Sequence, residues 1–179
     1  RFFKVYPNHE YTSYAYYLLG ISYYEQIVDE KKDSQSIIQA KETFLLLIEK
    51  FPNTEYSIDA EFKINMINDI LASKEMYIGR YYFQQKKWIA AINRFRTVVD
   101  EFEETIYTEE ALHRLVEVYY TIGLENEAKK YANLLGYNYQ SSQWYEKSYS
   151  VFDKIYEINK KENKKKNKSI IKKFKSLFD

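Results

Sequence analysis

One short phrase recurs along this chain at a spacing of about fifty residues. Residues 6–11 read Tyr-Pro-Asn-His-Glu-Tyr, residues 51–56 read Phe-Pro-Asn-Thr-Glu-Tyr, and residues 102–107 read Phe-Glu-Glu-Thr-Ile-Tyr. Nine residues after each leading aromatic stands an alanine: Ala15, Ala60 and Ala111. A chain that repeats itself in this way folds as a stack of similar units, because each unit needs its neighbours to bury its apolar face.

The composition indicates that the repeated unit is helical. The 179 residues include only four glycines and two prolines, too few for the many turns of a β-sandwich or barrel. Cysteine is absent, which excludes disulfides, thiolate metal sites and cysteine nucleophiles. No apolar run approaches the ~20 residues that a membrane-spanning helix requires.

Each repeat places a small residue and a large residue at positions that helices use for close packing. The most regular copy carries Gly79, Tyr82, Trp88, Ala91 and Phe95, with Glu103 where the other copies have proline. A copy before it carries Gly20, Ala40, Phe44 and Pro52, and a weaker copy after it carries Leu115, Val116, Tyr119, Ala128 and Ala132. This pattern resembles the tetratricopeptide repeat, in which 34 residues form two antiparallel helices.

The sequence therefore predicts an all-α fold, a solenoid of antiparallel helix pairs. We expect helices at about 11–29, 35–51, 57–84, 87–102, 108–121, 125–135 and 142–159. The prolines end the second helix of a repeat, and the polar residues after them start the next helix. The small residues predicted at helix–helix contacts, in a right-handed rod, are Gly20, Gly79, Ala40, Ala60, Ala91, Ala111 and Ala128.

Two departures from a regular repeat are predicted. Twenty residues separate Gly20 from Ala40, whereas twelve separate Gly79 from Ala91, so the first turn is lengthened, with the sequence VDEKKDSQ as its core. Neither proline nor glycine interrupts residues 58–78. We expect one long helix there, or two nearly continuous helices.

The charge distribution separates a tail from the body of the chain. Residues 160–179 hold nine lysines and two acidic residues, a charge of +7, which leaves −6 for the rest given the total of +1. We divide the chain into a repeat domain at 1–145 with a truncated first repeat, a helix continuation at 146–159 and a lysine-rich tail at 160–179. The tail ends in a short amphipathic pattern formed by Ile170, Ile171, Phe174, Leu177 and Phe178. Its apolar side either caps the last repeat, which we favour, or lies on an anionic bilayer.

Longer phrases carry a closer resemblance. The segments at 6–27, 51–64, 71–95 and 109–138, including the stretch Lys-Glu-Met-Tyr-Ile-Gly-Arg-Tyr-Tyr within the third, resemble the BamD (ComL) family of outer-membrane assembly lipoproteins. The resemblance covers about residues 3–145. It implies a protein at the periplasmic face of the Gram-negative outer membrane, held by a lipidated N-terminal cysteine that this chain does not contain.

The resemblance also implies partners. These are the POTRA domains of a BamA-like barrel subunit, other lipoproteins of the assembly complex, and unfolded outer-membrane proteins recognised through a C-terminal strand signal. Two alternatives remain open at this point: another periplasmic tetratricopeptide-repeat adaptor of the cell envelope, or an all-helical enzyme. Binding to the isolated POTRA domains would separate them.

The residues themselves give little support for an enzyme, a metal site or a cofactor. His9 and His113 stand alone in the sequence, no glycine-rich loop could cradle a phosphate, and no convergent set of reactive groups is visible. The acidic body also disfavours a phosphate track, so we expect no nucleic-acid partner. We expect a non-enzymatic binding protein without a cofactor.

The twenty tyrosines supply the first candidate site. Tyrosine offers rigid contact area with a polar tip, which suits a groove that binds extended peptides. Tyr23, Tyr82 and Tyr119 occupy the packing position near the repeat glycine, and we expect them in the core. The candidates for a client-binding groove are the tyrosines that fall off that face: Tyr14, Tyr17 and Tyr24.

The second candidate site lies on the best-conforming repeat. Arg94 and Arg96 flank Phe95 and therefore point away from the centre of the repeat, where a solvated pair is the plainest interpretation. The family resemblance favours a different role for Arg94, since its position matches an arginine that faces the barrel subunit. We take Arg94, Arg96 and Trp88 as candidate partner-binding residues.

Overall fold

The structure, a computed structural model, describes residues 2–6, 9–27 and 35–153, and all regular secondary structure within these ranges is α-helical. The helices are α1 (Phe2–Val5), α2 (Thr12–Tyr24), α3 (Gln35–Lys50), α4 (Glu55–Gln84), α5 (Trp88–Glu101), α6 (Thr108–Thr121) and α7 (Glu125–Asn138). Residues 143–153 form a further helix, called the last helix below. The predicted all-α repeat fold is confirmed.

Consecutive helices pair through the predicted contact between a glycine and an aromatic ring. A Cβ atom at Gly79 would lie 2.5 Å from Cε1 of Phe95, and a Cβ at Gly20 would collide with the ring of Phe44 in the same way. Both rings are fully buried. The other small residues predicted at helix contacts are also buried: Ala40, Ala60, Ala91, Ala111 and Ala128. The predicted register of the repeat is therefore correct.

The first helices of successive units run parallel to one another. Tyr17 of α2 bonds to Asp59 of α4, and the contact between Tyr24 and Met66 has the same separation of 42 residues. A constant separation along two helices means that they run in the same direction. The last helix lies against α6 in the same way, through contacts such as Tyr120 with Phe152.

Helix α4 joins two packed units into one body. Its 30 residues extend about 45 Å at the rise of an α-helix. Its first half packs in a core with α2 and α3, its second half packs in a core with α5 and α6, and Leu71 touches both cores. Lys41, near the middle of α3, lies over the ring of Phe102, 5.6 Å from its centroid, so α3 approaches the C-terminal end of α5. The prediction of one uninterrupted helix is confirmed.

The start of α4 follows from a cap in the second copy of the repeated phrase. The Thr54 hydroxyl accepts a hydrogen bond from the backbone N–H of Ser57 at 3.1 Å, and the Ser57 hydroxyl accepts one from the Thr54 N–H at 3.0 Å. This reciprocal capping box satisfies two N–H groups that the helix leaves unpaired. The helix therefore starts at Glu55, two residues before the predicted position.

Several predicted boundaries differ from the structure. Helix α2 ends at Tyr24, earlier than the predicted residue 29, and α1 was not predicted. Helix α7 continues to Asn138 through Gly136, over which the ring of Tyr145 packs. The core of the lengthened turn at 28–34, the predicted continuation at 154–159 and the tail at 160–179 lie outside the described residues.

The tyrosines predicted in the core lie at its edge. Tyr23, Tyr82 and Tyr119 pack against the buried clusters but are only partly buried. The buried tyrosine of α2 is Tyr16, which is 9% exposed and stacks on Phe3 with ring centroids 4.0 Å apart. Sequence spacing identified the correct helix face but not the depth of each ring.

We predict that Gly79→Ala lowers the free energy of unfolding by about 1–3 kcal/mol, because the new methyl group displaces the buried ring of Phe95. Urea unfolding measures this loss, and Gly79→Leu should lose more. In a Phe95→Leu background the cost should shrink, since the atoms that clash are gone. Gly136→Ala is the matched control, because it meets only the outer edge of the partly exposed Tyr145. Equal costs for both glycines would contradict the proposed packing.

Candidate partner-binding surfaces

The three candidate groove tyrosines lie together against α4. The ring of Tyr14 is 5.3 Å from that of Tyr56, and the ring of Tyr17 is 5.5 Å from Tyr56 on its other side. The Tyr24 hydroxyl lies 3.7 Å from the sulfur of Met66. We call Tyr14, Tyr17, Tyr24 and Tyr56 the tyrosine cluster. The structure brings the predicted residues into one surface, which is the geometry that a shared binding site needs.

Within the cluster, Tyr17 has a structural role. Its hydroxyl donates a 2.7 Å hydrogen bond to Oδ2 of Asp59. That bond, with burial and the charge of the carboxylate, raises the pKa of Tyr17 to about 12, so the hydroxyl stays protonated and fixed. Tyr14 is 41% exposed and Lys63 lies over the ring of Tyr24. Tyr17 therefore holds α2 against α4, while Tyr14 presents its ring to solvent.

An apolar stripe on α4 adjoins the cluster and was not predicted. Ile58, Phe62 and Met66 are four residues apart, so they share one face of the helix, and they are 54%, 64% and 50% exposed. Leu18 of α2 is also exposed. Exposed apolar side chains that line up along one helix commonly mark a binding surface. The spacing of four within a predicted helix was the signal that could have found them.

The second candidate set does not form one cluster. Arg94 of α5 binds Glu75 of α4, with Nη1 3.0 Å from Oε2. Arg96 points elsewhere and lies 3.6 Å from Asp100 on its own helix. Trp88 is partly buried against the core. The three residues share a helix, but they contact different partners: Arg94 binds Glu75 of α4, whereas Trp88 packs edge-on against Phe83 of α4, with ring centroids 5.5 Å apart.

A network of charged side chains connects α4 with α6, and it was not predicted from the sequence. Arg80 donates to both carboxylate oxygens of Glu110, at 2.9 and 2.6 Å. Arg114 donates to Glu110 at 3.3 Å and to Glu117 at 2.6 Å. Burial alone would raise the pKa of Glu110, but hydrogen bonds and charge from Arg80 and Arg114 outweigh it, so the pKa is lowered. The network fixes α6 against α4.

His113 joins α6 to the last helix. It is 4% exposed, and its Nδ1 lies 2.9 Å from the hydroxyl of the fully buried Ser148. Its ring packs on Trp144 with centroids 5.2 Å apart, and Lys147 lies 4.0 Å above the same tryptophan. Burial lowers the pKa of His113, with Arg114 and Lys147 adding to this effect and Glu117 opposing it. His113 therefore packs α6 against the last helix.

Neither a metal centre nor a membrane span is found in the part of the chain that the structure describes. There, histidine, aspartate and glutamate never come together in a set of three able to bind a metal ion. None of the helices described combines the length and the apolar character that crossing a bilayer requires. The surfaces that remain are the tyrosine cluster with its apolar stripe, and the surface around Arg94.

Comparison with known proteins identifies the family. The model of the YfiO family, described as an outer membrane lipoprotein, matches residues 1–135. The chain belongs to this family. The match covers both candidate surfaces, since the tyrosine cluster and Arg94 lie within it. The resemblance seen in the sequence is confirmed.

Named relatives of this YfiO-family chain share one description, outer membrane protein assembly factor BamD. The protein of Rickettsia prowazekii is 48% identical over 150 residues, which cover 84% of this chain and 60% of the relative. That of Caulobacter vibrioides is 45% identical over 153 residues, covering 86% and 50%. That of Neisseria meningitidis is 29% identical over 152 residues, covering 79% and 57%. The chain thus spans about half to three fifths of the length of these relatives.

We predict that the protein loses stability as the pH falls from 7 to 5, partly through His113. Its folded pKa lies below the ordinary value of 6.5, so the unfolded state binds more protons and stability falls as pH drops below 6.5. One such group contributes at most about 1.4 kcal/mol per pH unit. Glu110, whose folded pKa lies below 4.5, adds a loss only at lower pH.

Urea unfolding at several pH values measures this slope. His113→Gln keeps a side chain able to bond Ser148 but cannot titrate, so the slope between pH 7 and 5 should flatten. His9→Gln, at an exposed histidine, is the control and should keep the parent's slope. A steep slope in His113→Gln would show that other groups cause the acid sensitivity.

Proposed function

We propose that this chain is a non-enzymatic scaffold and binding component of the machinery that assembles β-barrel proteins in the outer membrane. The observation that carries the proposal is its similarity to the BamD assembly factors of Rickettsia and Caulobacter over 84% and 86% of its length. A helical-repeat rod with two exposed surfaces and no described catalytic cluster supports a binding role. The proposed place of work is the periplasmic face of the outer membrane, reached through an N-terminal lipid anchor.

In this proposal the surface around Arg94 docks on the POTRA domains of a BamA-like barrel subunit. The side chain of Arg94 is 43% exposed and sits on a partly exposed face of α5. Arginine binds carboxylates through paired hydrogen bonds, which favours an acidic side chain as its counterpart. Arg96, which is 52% exposed, and Trp88 lie on the same helix and are proposed as further contacts with the partner. Other lipoproteins of the complex are further proposed partners.

The tyrosine cluster and the apolar stripe of α4 are the proposed surface for unfolded outer-membrane proteins. A C-terminal strand signal is an extended peptide with apolar side chains, and it needs both contact area and hydrogen-bonding tips. Tyr14 supplies a partly exposed ring with a hydroxyl, and Phe62 supplies exposed apolar area. The pair of helices beneath them is held rigid by the bond from Tyr17 to Asp59, so little conformational freedom is lost when a peptide binds.

We predict that Arg94→Ala weakens binding to the isolated POTRA domains by roughly 2–5 kcal/mol, because the partner's carboxylate is left without its counterion. Isothermal titration calorimetry measures the change. Lys129→Ala is the control, since it removes an exposed positive charge from α7, away from α5. Unchanged affinity in Arg94→Ala would remove Arg94 from the docking site.

We predict that Tyr14→Ala and Phe62→Ala each weaken binding of a peptide with the C-terminal strand signal by more than about 1 kcal/mol, the usual cost of losing an interface anchor. Fluorescence anisotropy of a labelled peptide measures this. Tyr137→Ala is the control, because this residue is 83% exposed on α7, outside the proposed surface. If all three variants lost the same affinity, the peptide would be binding without a defined site.

A further inference from the structure

Within the described ranges of the chain, the guanidinium of Arg94 makes hydrogen bonds through only one of its three nitrogens. Its contacts with Glu75 both use Nη1, at 3.0 Å to Oε2 and 3.4 Å to Oε1. Among the described residues, Nε and Nη2 of Arg94 have no hydrogen-bond partner. These two nitrogens form the edge of a guanidinium that binds a carboxylate through two parallel hydrogen bonds.

Neighbouring arginines show how this edge is normally occupied. Arg80 uses its Nε and Nη2 to bind both oxygens of Glu110. Arg114 uses Nε for Glu110 and Nη1 for Glu117. Both are therefore committed to contacts within the chain. Arg94 is held by an internal carboxylate and still keeps a complete binding edge.

A small cleft lies beside Arg94. It has a volume of about 210 Å³ and is lined by Tyr82, Ala90, Asn93, Arg94 and Thr97. Arg94 is the charged residue among them, and the others offer an amide and two hydroxyl groups. Lys87 lies over the ring of Tyr82, 6.0 Å from its centroid, and adds positive charge at the rim. A cleft of this size and charge fits one carboxylate side chain rather than an extended peptide.

We propose that Glu75 is a positioning residue for partner binding. It holds Arg94 by Nη1, so that the Nε–Nη2 edge remains free to bind an aspartate or glutamate side chain of the partner in this cleft. The inference rests on the proposed docking site at Arg94 and adds a residue that does not itself touch the partner. Glu75 lies on α4 and its side chain is 18% exposed, so the long, rigid helix sets the position of the arginine.

The physical reason is the flexibility of arginine. A long side chain loses several rotamers when it is fixed by a partner, and that loss weakens binding. An internal carboxylate that fixes the side chain beforehand removes much of the loss. Glu75 also carries a negative charge, which by itself repels an approaching carboxylate. If Glu75 positions Arg94, removing Glu75 weakens partner binding; if its charge mainly repels the partner, removing it tightens binding. The direction of the change in affinity therefore decides between the two.

The test uses the isolated POTRA domains of the barrel subunit from the same organism as the probe, with affinities of the full chain measured by calorimetry. We expect Glu75→Ala to weaken binding about two- to tenfold, the range for a modest coupling between contacting residues. Glu75→Gln keeps an oxygen that accepts from Nη1, so its affinity should stay at or above that of the parent. In an Arg94→Ala background, Glu75→Ala should have no further effect.

The control is Glu101→Gln, which removes one negative charge from an exposed position on α5 without touching Arg94. Its affinity should match that of the parent or be slightly tighter. Circular dichroism melts of each variant show whether the fold is kept, because the pair of Arg94 and Glu75 is partly exposed and its loss should leave the melting temperature nearly unchanged.

Each outcome separates this inference from the proposed function. If Arg94→Ala binds like the parent, the docking site itself is wrong. If Arg94→Ala weakens binding while Glu75→Ala tightens it, the docking site stands and Glu75 is a competitor for Arg94, which overturns the positioning role. An equal loss of affinity from Glu75→Ala in the parent and in the Arg94→Ala variant would also overturn the positioning role, because Glu75 would then not act through the arginine.

A second variant tests the cleft. Asn93→Asp places a carboxylate next to Arg94 on the exposed face of α5, where it would occupy the free edge or repel the partner. We expect it to weaken binding as strongly as Arg94→Ala. Asn133→Asp makes the same change at an exposed position of α7 and should leave the affinity unchanged. Equal effects of the two substitutions would show that overall charge, and not this cleft, controls binding.

Discussion

The contact that organises this protein is the close approach of a phenylalanine ring to a helix backbone. Gly20 and Gly79 have no side chain, so the rings of Phe44 and Phe95 occupy the space where a Cβ atom would stand. Each contact sets the distance and the rotation of one helix pair. A glycine within a helix costs about 1 kcal/mol of helix propensity, which the buried ring offsets. The orientation of the outward-facing side chains of α2 to α5 depends on these two contacts.

Helix α4 contributes to the cores of both helix pairs. It therefore joins them into one rigid body that carries the two candidate surfaces, the tyrosine cluster and the surface around Arg94. Asp59, which anchors the tyrosine cluster, and Glu75, which holds Arg94, lie on the same uninterrupted helix. Their sixteen-residue separation along the chain corresponds to about 24 Å. A client on one surface and a partner on the other would therefore be held at a fixed distance. In the proposed function no hinge would be needed for the two to act together, because the rod would serve as a spacer between them.

The sequence was sufficient to predict the fold because small and large residues recur at fixed positions in each repeat. Glycine, alanine and phenylalanine at fixed spacing predict the helices and their pairing, and the absence of proline and glycine from residues 58–78 predicts the long α4. The depth at which each side chain is buried was harder to predict. Tyr16 is buried while Tyr23 is not, although the spacing of both fits the packed face of the helix. Ion pairs between different helices were harder still to predict. Arg80 and Glu110 are thirty residues apart and meet only because α4 and α6 run side by side. A single sequence does not contain that adjacency in any local pattern.

The arginines illustrate why the candidate site needs the structure. Arg80, Arg94 and Arg114 are alike in sequence, each in a helix rich in aromatic and acidic residues. Arg80 uses its Nε and Nη2 for both oxygens of Glu110, and Arg114 uses Nε and Nη1 for Glu110 and Glu117, which stabilises the packing of α6. Arg94 meets a single carboxylate through one nitrogen. Because a guanidinium cannot lose its charge at physiological pH, its unused edge is the basis for proposing that Arg94 binds an anionic side chain of a partner. The difference between a structural arginine and a binding arginine is thus which nitrogens its neighbours leave free.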